Sequence, residues 1–461
     1  MIPKRLSSIM SSDVCELSKL FAVEGHDLYL VGGSVRDGLL GRDSDDLDFT
    51  TDARPDDIER IGALWAESIY VVGKAFGTIG LVKDYRVSEI TTFRSEMYRD
   101  DSRKPVVSFS DDIEEDLSRR DFTVNAMAIK VPTGGGDAPE MTDPFGGLVD
   151  LSLKTLRTPL DPEVSFGDDP LRMLRLFRFM STLGFTATAE VLDAVAGFRE
   201  RLQIVSAERI RAEFDKLMVG PGVVEALELL VGSGLLGEFI PEIPALAVEQ
   251  DPIHRHKDVL AHTIAVVGKV SPMLRLRLAA LFHDIGKPAT REFGAGGVSF
   301  HHHEVVGARM TRKRMQALRY PKDEIKDVSQ LVFLHMRPHT YKMGWTDSAV
   351  RRYVRDAGPL VQDLNELVRC DVTTRNQRRA RTISKRLDEL EERIEDLAQR
   401  EELDKMRPPI DGNDVMRYLD LKPSRVIGEI MDMLVEKRIE VGPYPEEEAY
   451  AMLDDWKASK A

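Results

Sequence analysis

Between residues 28 and 130 the apolar positions come in short runs, LYLVGG, LDFTT, SIYVV, GTIGLV, SEITTF and TVNAMAI, broken by Gly, Asp and Pro. Short β-branched runs punctuated by turn formers predict strands interleaved with helices. From about Ser165 the pattern lengthens into a 3.6-residue period, as in PLRMLRLFRFM, ERIRAEFDKLM, VLAHTIAVVGKV and LRLRLAALFHD. That period predicts one helix after another. The expected architecture is an α+β domain followed by an almost wholly helical remainder. The segments VPTGGGDAPE (131–140), EFIPEIPAL (238–246) and MRPPIDG (406–412) mark joints. They divide the chain into an N-terminal helical segment (1–27), an α+β head (28–160), a helical neck (161–245), a histidine-rich domain (246–400) and a helical tail (401–461). The alternating charges of 385–405 read as a solvated helix.

Composition narrows the function. A chain of 461 residues is long enough for about three domains. Its 64 Lys and Arg against 78 Asp and Glu give a net charge of −14, which excludes coating nucleic acid or anionic membrane by bulk charge. Phosphate binding must therefore rest on local patches. Cys15 and Cys370 are the only cysteines, which excludes a disulfide framework and fits a reducing cytoplasm. The start, MIPKRLSSIMSSDV, lacks the apolar core of a signal peptide, and no run approaches the roughly 18 apolar residues of a membrane span. Nine of the ten histidines lie from His254 to His339, so two chemistries are expected in two places.

The first chemistry centres on Val31-Gly32-Gly33-Ser34-Val35-Arg36-Asp37, a Gly-Gly junction between a strand-like run and a helical one. Such a junction lets backbone N–H groups and a helix N-terminus approach a phosphate. Asp46 and Asp48 follow, two apart and so on one face of a strand. With Glu89 as a third carboxylate from a neighbouring strand they could hold two Mg²⁺ ions for phosphoryl displacement; the bare segment is equally compatible with an Asp-rich solvated turn. An EF-hand loop does not fit, since the sixth position from Asp43 is Asp48 and not glycine. Arg119-Arg120-Asp121-Phe122-Thr123-Val124-Asn125 adds two cations and a polar face. In Asp168-Asp169-Pro170-Leu171-Arg172-Met173-Leu174-Arg175-Leu176-Phe177-Arg178, helical spacing puts Arg172, Arg175 and Arg178 on a cationic stripe opposite an apolar face, with Phe179 out of pattern.

Taken in order, LVGGSVRDGLLGRDSDDLDF, RRDFTVNAMA and Asp143-Pro144-Phe145-Gly146-Gly147 with Asp150 resemble the class II CCA-adding enzymes and bacterial poly(A) polymerases. The resemblance implies a nucleotidyltransferase head in which Asp46 and Asp48 bind Mg²⁺, Gly33 and Arg36 contact the triphosphate, and Arg120 contacts the nucleotide. It implies that Arg94–Phe109 is a flexible loop associated with A addition. It also identifies Asp168-Asp169-Pro170-Leu171-Arg172 with the family's nucleotide-choosing Glu-Asp-x-x-Arg, Asp168 departing from Glu. Asp169 and Arg172 then offer an acceptor and a donor. Cytosine and adenine complement that polarity, whereas uracil and guanine present the reverse. Arg175 and Arg178 are expected to hold the triphosphate. Ala207–Glu213 resembles a last motif with a purely structural role.

The second chemistry is His283-Asp284, which looks like the centre of an HD phosphohydrolase domain, with His262, His303, His335 and Asp371 as companions. Six imidazole and carboxylate ligands suit a pair of transition metals such as Mn²⁺, Fe²⁺, Co²⁺ or Ni²⁺. His301, His302 and His339 are expected at the surface. Two basic patches, Arg309, Arg312, Lys313, Arg314 and Arg319, and Arg375, Arg378, Arg379, Arg381, Lys385 and Arg386, are candidates for tRNA backbone contact. The resemblance thus points to a cytoplasmic tRNA nucleotidyltransferase that builds or repairs the 3′-terminal CCA from CTP and ATP. A poly(A) polymerase, a CC-only or A-only enzyme, and an HD phosphohydrolase with a degenerate head stay open, as does the oligomeric state.

Overall fold

The computed structural model describes residues 6, 9–42, 47–97, 106–134, 139–247, 259–294, 297–341, 345–372, 377–401 and 407–460. They form two units, Met1–Pro244 and Ala245–Ala461.

The first unit begins with α1 (Ser12–Val23), started by Ser11, whose side chain accepts from the Val14 N–H. Its strands are β1 (Leu28–Val31), β2 (Leu47–Thr51), β3 (Ser68–Tyr70), β4 (Thr78–Lys83), β5 (Arg86–Thr92), β6 (Arg94–Met97), β7 (Val106–Phe109), β8 (Ala128–Lys130) and β9 (Met141–Thr142), interleaved with α2 (Gly33–Leu39), α3 (Pro55–Gly62) and α4 (Ile113–Ser118). Seven strands make one sheet in the order β3-β4-β5-β2-β1-β8-β9. Only β2 and β5 run parallel within it; their register pairs Asp48 with Glu89 and Phe49 with Ile90. Alternation explains the layering: Leu47, Phe49, Ser88, Ile90 and Thr92 face the core, while Asp48 is half-buried and Glu89 exposed. β6 and β7 pair outside this sheet as an antiparallel ribbon, Arg94 opposite Phe109. The segment expected to be a flexible loop is thus bounded by a ribbon, with 98–105 outside the described residues.

The neck follows as α5 (Gly147–Leu153), α6 (Pro162–Asp168), α7 (Leu171–Leu183), α8 (Ala189–Phe198), α9 (Ala207–Val219) and α10 (Val223–Gly232), with β10 (Thr155–Leu156) and β11 (Thr186–Ala187) as a two-residue parallel pair. Leu174, Leu176, Phe177, Phe214, Leu217, Leu227 and Leu230 are fully or almost fully buried between α7, α9 and α10. Close approach here depends on Gly220, where a Cβ would stand 2.2 Å from Ser181 Oγ.

The second unit is helical: α11 (Val259–Lys269), α12 (Leu274–Phe282), α13 (His303–Ala317), α14 (Lys322–Leu334), α15 (Asp347–Ala357), α16 (Val361–Asp371), α17 (Gln377–Glu401), α18 (Gly412–Leu419), α19 (Arg425–Val441) and α20 (Glu446–Lys460). An antiparallel pair, β12 (Arg291–Gly294) and β13 (Gly297–Phe300), interrupts the helices; helical periodicity did not anticipate it. Helix α12 is the central element, with every residue from Leu276 to Phe282 buried. Helix α17 corrects the expectation of a solvated helix at 385–405. Leu387, Leu390 and Leu397 are buried along one stripe, and its charges occupy the remaining faces. The tail has its own apolar cluster, Val415, Leu419, Ile430, Leu434, Ala449 and Leu453.

Candidate functional site

In the first unit, β1 ends at Val31 and the chain turns into α2 through Gly32, whose φ is +66°. A side chain there would be strained and would also bring its Cβ to 2.9 Å from Arg120 Nη1 and 3.7 Å from Asp48 Oδ2. Gly32 is therefore the position at this junction that only glycine suits, and Gly33, which the resemblance assigns to the triphosphate, begins α2 beside it. Ser34 Oγ accepts from the Asp48 backbone N–H at 3.1 Å, pinning β2 against the start of α2. Asp46 lies outside the described residues; Asp48 and Glu89 are brought side by side by the β2–β5 register.

A cleft of about 380 Å³ opens beside Asp48, lined by Gly32, Gly33, seven arginines (36, 119, 120, 172, 175, 178 and 209) and by Asp121 and Asp169 among others. Most of these arginines are braced by a carboxylate or amide. Arg36 pairs with both Asp37 oxygens at 3.0 and 2.7 Å and donates to Asn125 Oδ1 at 2.6 Å. Arg119 and Arg120 share the fully buried Asp116 at 2.7 and 3.2 Å. Burial alone would raise the Asp116 carboxyl, but Arg119 and Arg120 override it and hold it below the ordinary range. Arg175 Nε donates to Asp121 Oδ2 at 2.7 Å. Burial of Asp121 is likewise outweighed, here by Arg175 and the Asn125 amide, so it stays ionised. Arg178 pairs with Glu213 at 2.9 Å. Its burial, reinforced by neighbouring Arg175, pushes its guanidinium down to about 10, so it remains a cation at neutral pH, but one whose charge is poorly compensated. A polyanion in the cleft would relieve that cost. Among the described residues the buried Nε of Arg120 has no hydrogen-bond partner, a donor that a phosphate oxygen would satisfy.

Phe179, out of pattern on the helical wheel, proves to be the platform for this cluster. The guanidinium carbons of Arg178, Arg36 and Arg175 stand 4.0, 5.1 and 5.6 Å from its ring centroid. A ring face attracts cations and keeps them planar against it.

The two residues that the resemblance assigns to base selection, Asp169 and Arg172, both line this cleft. Asp169 Oδ1 accepts from the Leu171 N–H at 3.1 Å, and Oδ2 is 3.4 Å from Arg209. Arg172 is buried and donates to the Ser165 carbonyl at 3.2 Å, to Ser165 Oγ at 2.9 Å and to the Arg119 carbonyl. These bonds fix its guanidinium at the cleft wall. Arg209, from the 207–213 segment read as structural, lines the cleft and pairs with Asp169. Nothing in its local sequence signals this, since only the packing of α9 on α7 brings it there. The Asp143-Pro144-Phe145-Gly146-Gly147 motif acts as a brace. Asp143 caps the Gly147 and Leu148 N–H groups at 2.6 and 2.9 Å, and Asp150 accepts from Thr123 Oγ1 at 2.6 Å, holding the 119–126 segment.

In the second unit, α11, α12, α13, the end of α14 and the end of α16 converge. Nδ1 of His283, His303 and His335 lies 2.8, 2.8 and 2.6 Å from the carbonyl oxygens of Ala280, Phe300 and Val332. A carbonyl only accepts, so each Nδ1 carries a proton and each Nε2 is the ring atom turned inward. His262 Nε2 is 2.9 Å from Asp371 Oδ1 and 3.3 Å from His283 Nε2; His303 and His335 are 3.3 Å apart. Asp284 stands between the pairs, Oδ2 3.2 Å from His283 and Oδ1 3.5 Å from His303. Burial opposes charging His283, but Asp284 and Asp371 prevail and push it up to about 10, while burial and His283 push His335 down to about 3. The groups His262–His283–Asp284 and Asp284–His303–His335 each have the donor types and spacing of a metal site. Gly286 permits this convergence: a Cβ there would lie 2.2 Å from the His303 carbonyl oxygen. His301 and His302 are exposed; the side chain of His339 lies outside the description. Arg309, Arg312, Lys313 and Arg319 form an exposed patch on and just beyond α13, whereas Arg375 is outside the described residues.

A nucleotide-sized cationic cleft in an α+β head, and a separate His/Asp centre among helices, define a nucleotidyltransferase with an HD domain. Known families match in that order: the Poly A polymerase head domain over residues 28–157, the probable RNA and SrmB-binding site of polymerase A over 184–246, and the HD domain over 259–370. The A-adding tRNA nucleotidyltransferase of Deinococcus radiodurans is 33% identical over 445 residues, 93% of this chain and 95% of that protein. The chain belongs to the tRNA nucleotidyltransferase and poly(A) polymerase family. The CCA-adding enzyme of Bacillus subtilis is 43% identical over 216 residues, 47% of this chain, and the chain spans about half of that relative's length (52%). The fold is that of the Bacillus stearothermophilus CCA-adding enzyme solved in complex with CTP (TM-score 0.68, 23% identity, 97% of this chain and 98% of that one). Among the described residues no helix is long and apolar enough to cross a membrane.

Proposed function

We propose that the first unit adds nucleotides from CTP and ATP to the 3′ end of tRNA in the cytoplasm, completing or repairing CCA. The observation that carries this is the cleft in which Asp48, the Gly32–Gly33 junction, the braced arginines and the Asp169–Arg172–Arg209 group meet. Asp46 and Asp48, with Glu89 alongside, would hold Mg²⁺, which would supply electrophilic activation of the phosphate and a more acidic primer hydroxyl. The protein's own residues bind and orient. Arg36, Arg120, Arg175 and Arg178 take the triphosphate oxygens, and their carboxylate braces keep the guanidinium groups from reorganising as charge shifts to the departing pyrophosphate. Asp169 accepts from the exocyclic amine of cytosine or adenine while Arg172 donates to the ring nitrogen, a polarity that uracil and guanine cannot match. The basic patch on α13 and the exposed Arg378, Arg381 and Lys385 are assigned to the tRNA backbone, whereas half-buried Arg386 lines a cleft beside Asp371.

A-only addition is the second reading, favoured by one observation: the A-adding relative matches along its whole length, whereas the Bacillus subtilis CCA-adding relative matches over about half of its own. Offering the enzyme tRNAs that end before each of the three terminal nucleotides, with CTP and ATP separately, decides between them. CMP incorporation into the shorter tRNAs supports CCA addition; AMP incorporation only into tRNA ending in CC supports the second reading, and long A tails indicate a poly(A) polymerase.

For the second unit we infer a phosphohydrolase. His262, His283, Asp284, His303, His335 and Asp371 would be the donor set for two transition-metal ions such as Mn²⁺, Fe²⁺, Co²⁺ or Ni²⁺, and Asp284 belongs to both clusters of donors. Ester hydrolysis that needs added Mn²⁺ or Ni²⁺ and disappears in Asp284→Ala would support it; metal-independent hydrolysis would sink it.

A further inference from the structure

The sheet of the head carries a row of facing residues that crosses β3, β4, β5 and β2. Register pairs Tyr70 with Gly80, Gly80 with Glu89, and Glu89 with Asp48. Directly paired residues present their side chains on one face, so Tyr70 and the two carboxylates look the same way. Neighbouring strands lie about 4.8 Å apart, which puts Tyr70 roughly 10 Å beyond Glu89. The opposite face is occupied: Ile79, Leu81 and Ile90 are fully buried, and a Cβ on Gly62 of α3 would stand 2.6 Å from Leu81. On the row's own face Val82 and Val87 are only half-buried, and Tyr70 is 56% exposed.

Gly80 is the place in the row without a side chain. Cβ and Cδ2 of Tyr70 stand 3.4 and 3.6 Å from where a Gly80 Cβ would be, so the ring leans over the glycine. In-line displacement decides what such a ring would meet. The attacking hydroxyl and the departing pyrophosphate stand on opposite sides of the phosphorus. The Gly32 turn and the arginines, which take the triphosphate in the reading above, lie on the β1 side of Asp48. The acceptor end of the RNA must then arrive from the other side, over β5, β4 and β3. Its unpaired bases have two apolar faces, and such bases stack on aromatic rings. The half-buried valines extend the apolar floor beside the ring.

We propose that Tyr70 is the stacking platform for the last unpaired bases of the tRNA acceptor end. The proposal rests on the transferase reading above and names a contact of that site with its RNA substrate. Equilibrium binding of a tRNA ending in CC to the full chain tests it, together with KM for that tRNA and for ATP; both readings of the first unit extend such a tRNA with AMP. Tyr70→Leu keeps an apolar cover on Gly80 but has no ring. It weakens tRNA binding and raises KM for tRNA roughly tenfold, while KM for ATP and the melting temperature stay unchanged. Tyr70→Trp restores the tRNA affinity. An abasic residue at one of the last two positions of the tRNA weakens binding to the unaltered chain and costs Tyr70→Leu nothing further, because the ring that the base would meet is already gone. Binding of tRNA by Tyr70→Leu within about twofold of the unaltered chain overturns the proposal, and a lower melting temperature at that unchanged affinity makes the ring a cover for Gly80 alone. If the unaltered chain binds this tRNA yet adds no AMP, the transferase reading falls, and the loss of affinity in Tyr70→Leu still upholds the platform.

Discussion

Asp48 and Glu89 are register partners on the parallel strands β2 and β5, so their carboxylates leave the sheet on the same face, next to the Gly32 turn. Asp48→Ala is expected to lower nucleotide incorporation into truncated tRNA roughly a hundredfold or more, without changing the circular dichroism spectrum. Glu89→Gln, further out at the rim, should cost less. Incorporation by Asp48→Ala within tenfold of the unaltered enzyme would remove this carboxylate from the chemistry.

Arg209 is held by Asp169, the proposed acceptor for the base. Removing it in Arg209→Ala frees the carboxylate to rotate, and discrimination against UTP and GTP should fall by about tenfold while the Mg²⁺ dependence stays as it was. Unaltered discrimination would return Arg209 to a structural role.

Phe179 lies beneath three guanidinium groups. At about 0.5–1 kcal/mol per cation–π contact, Phe179→Leu should raise KM for ATP roughly tenfold with little change in melting temperature. A large loss of melting temperature with unchanged KM would show that the ring serves packing alone.

Gly286 faces the backbone of α13, and a Cβ there would meet the His303 carbonyl oxygen at 2.2 Å and the Gly307 nitrogen at 2.7 Å. Backbone atoms cannot step aside as a side-chain tip can. Gly286→Ala should displace His303 and abolish Mn²⁺ binding in calorimetry, while nucleotide incorporation by the first unit persists. Unimpaired Mn²⁺ binding would contradict the packing argument.

Asp121 is buried, but Arg175 holds its carboxyl below the ordinary value. A depressed folded-state pKa contributes stability that is complete above the unfolded value, roughly 3.9, and fades as pH falls through the folded one. Replacing the carboxylate leaves Arg175 without its partner, at a cost of about 2–3 kcal/mol near pH 7 after allowing for the partial exposure of Arg175. In urea titrations the gap between Asp121→Asn and the unaltered chain should be constant from pH 7 to 5 and narrow below pH 4. A gap that widened in acid would reverse the assigned sign.

Several features of the head were legible before any coordinates. Asp48 and Glu89 could be placed on neighbouring strands because the period of two assigns each side chain a face, and the arginine stripe of α7 followed from the period of 3.6. The same logic failed where a contact joined distant segments. Arg209 sits forty residues beyond Asp169, and its own motif reads only as an amphipathic helix. Phe179 was visible solely as a violation of pattern, and its use became clear once Arg36, from another element, lay against it. Charge alternation suggested that 385–405 was solvated, yet Leu387, Leu390 and Leu397 recur at helical spacing and are buried.

By itself, then, the sequence determined which residue types could do chemistry, in which order, and on which face of their own strand or helix, because those properties depend on local periodicity and side-chain chemistry. Only the tertiary structure decided that buried carboxylates stand behind the head arginines, that Asp284 lies between two histidine pairs, and that Arg386 reaches the cleft beside Asp371. Each is a meeting of segments remote along the chain. Their distances are set by how helices and sheet pack, and no local pattern encodes that packing.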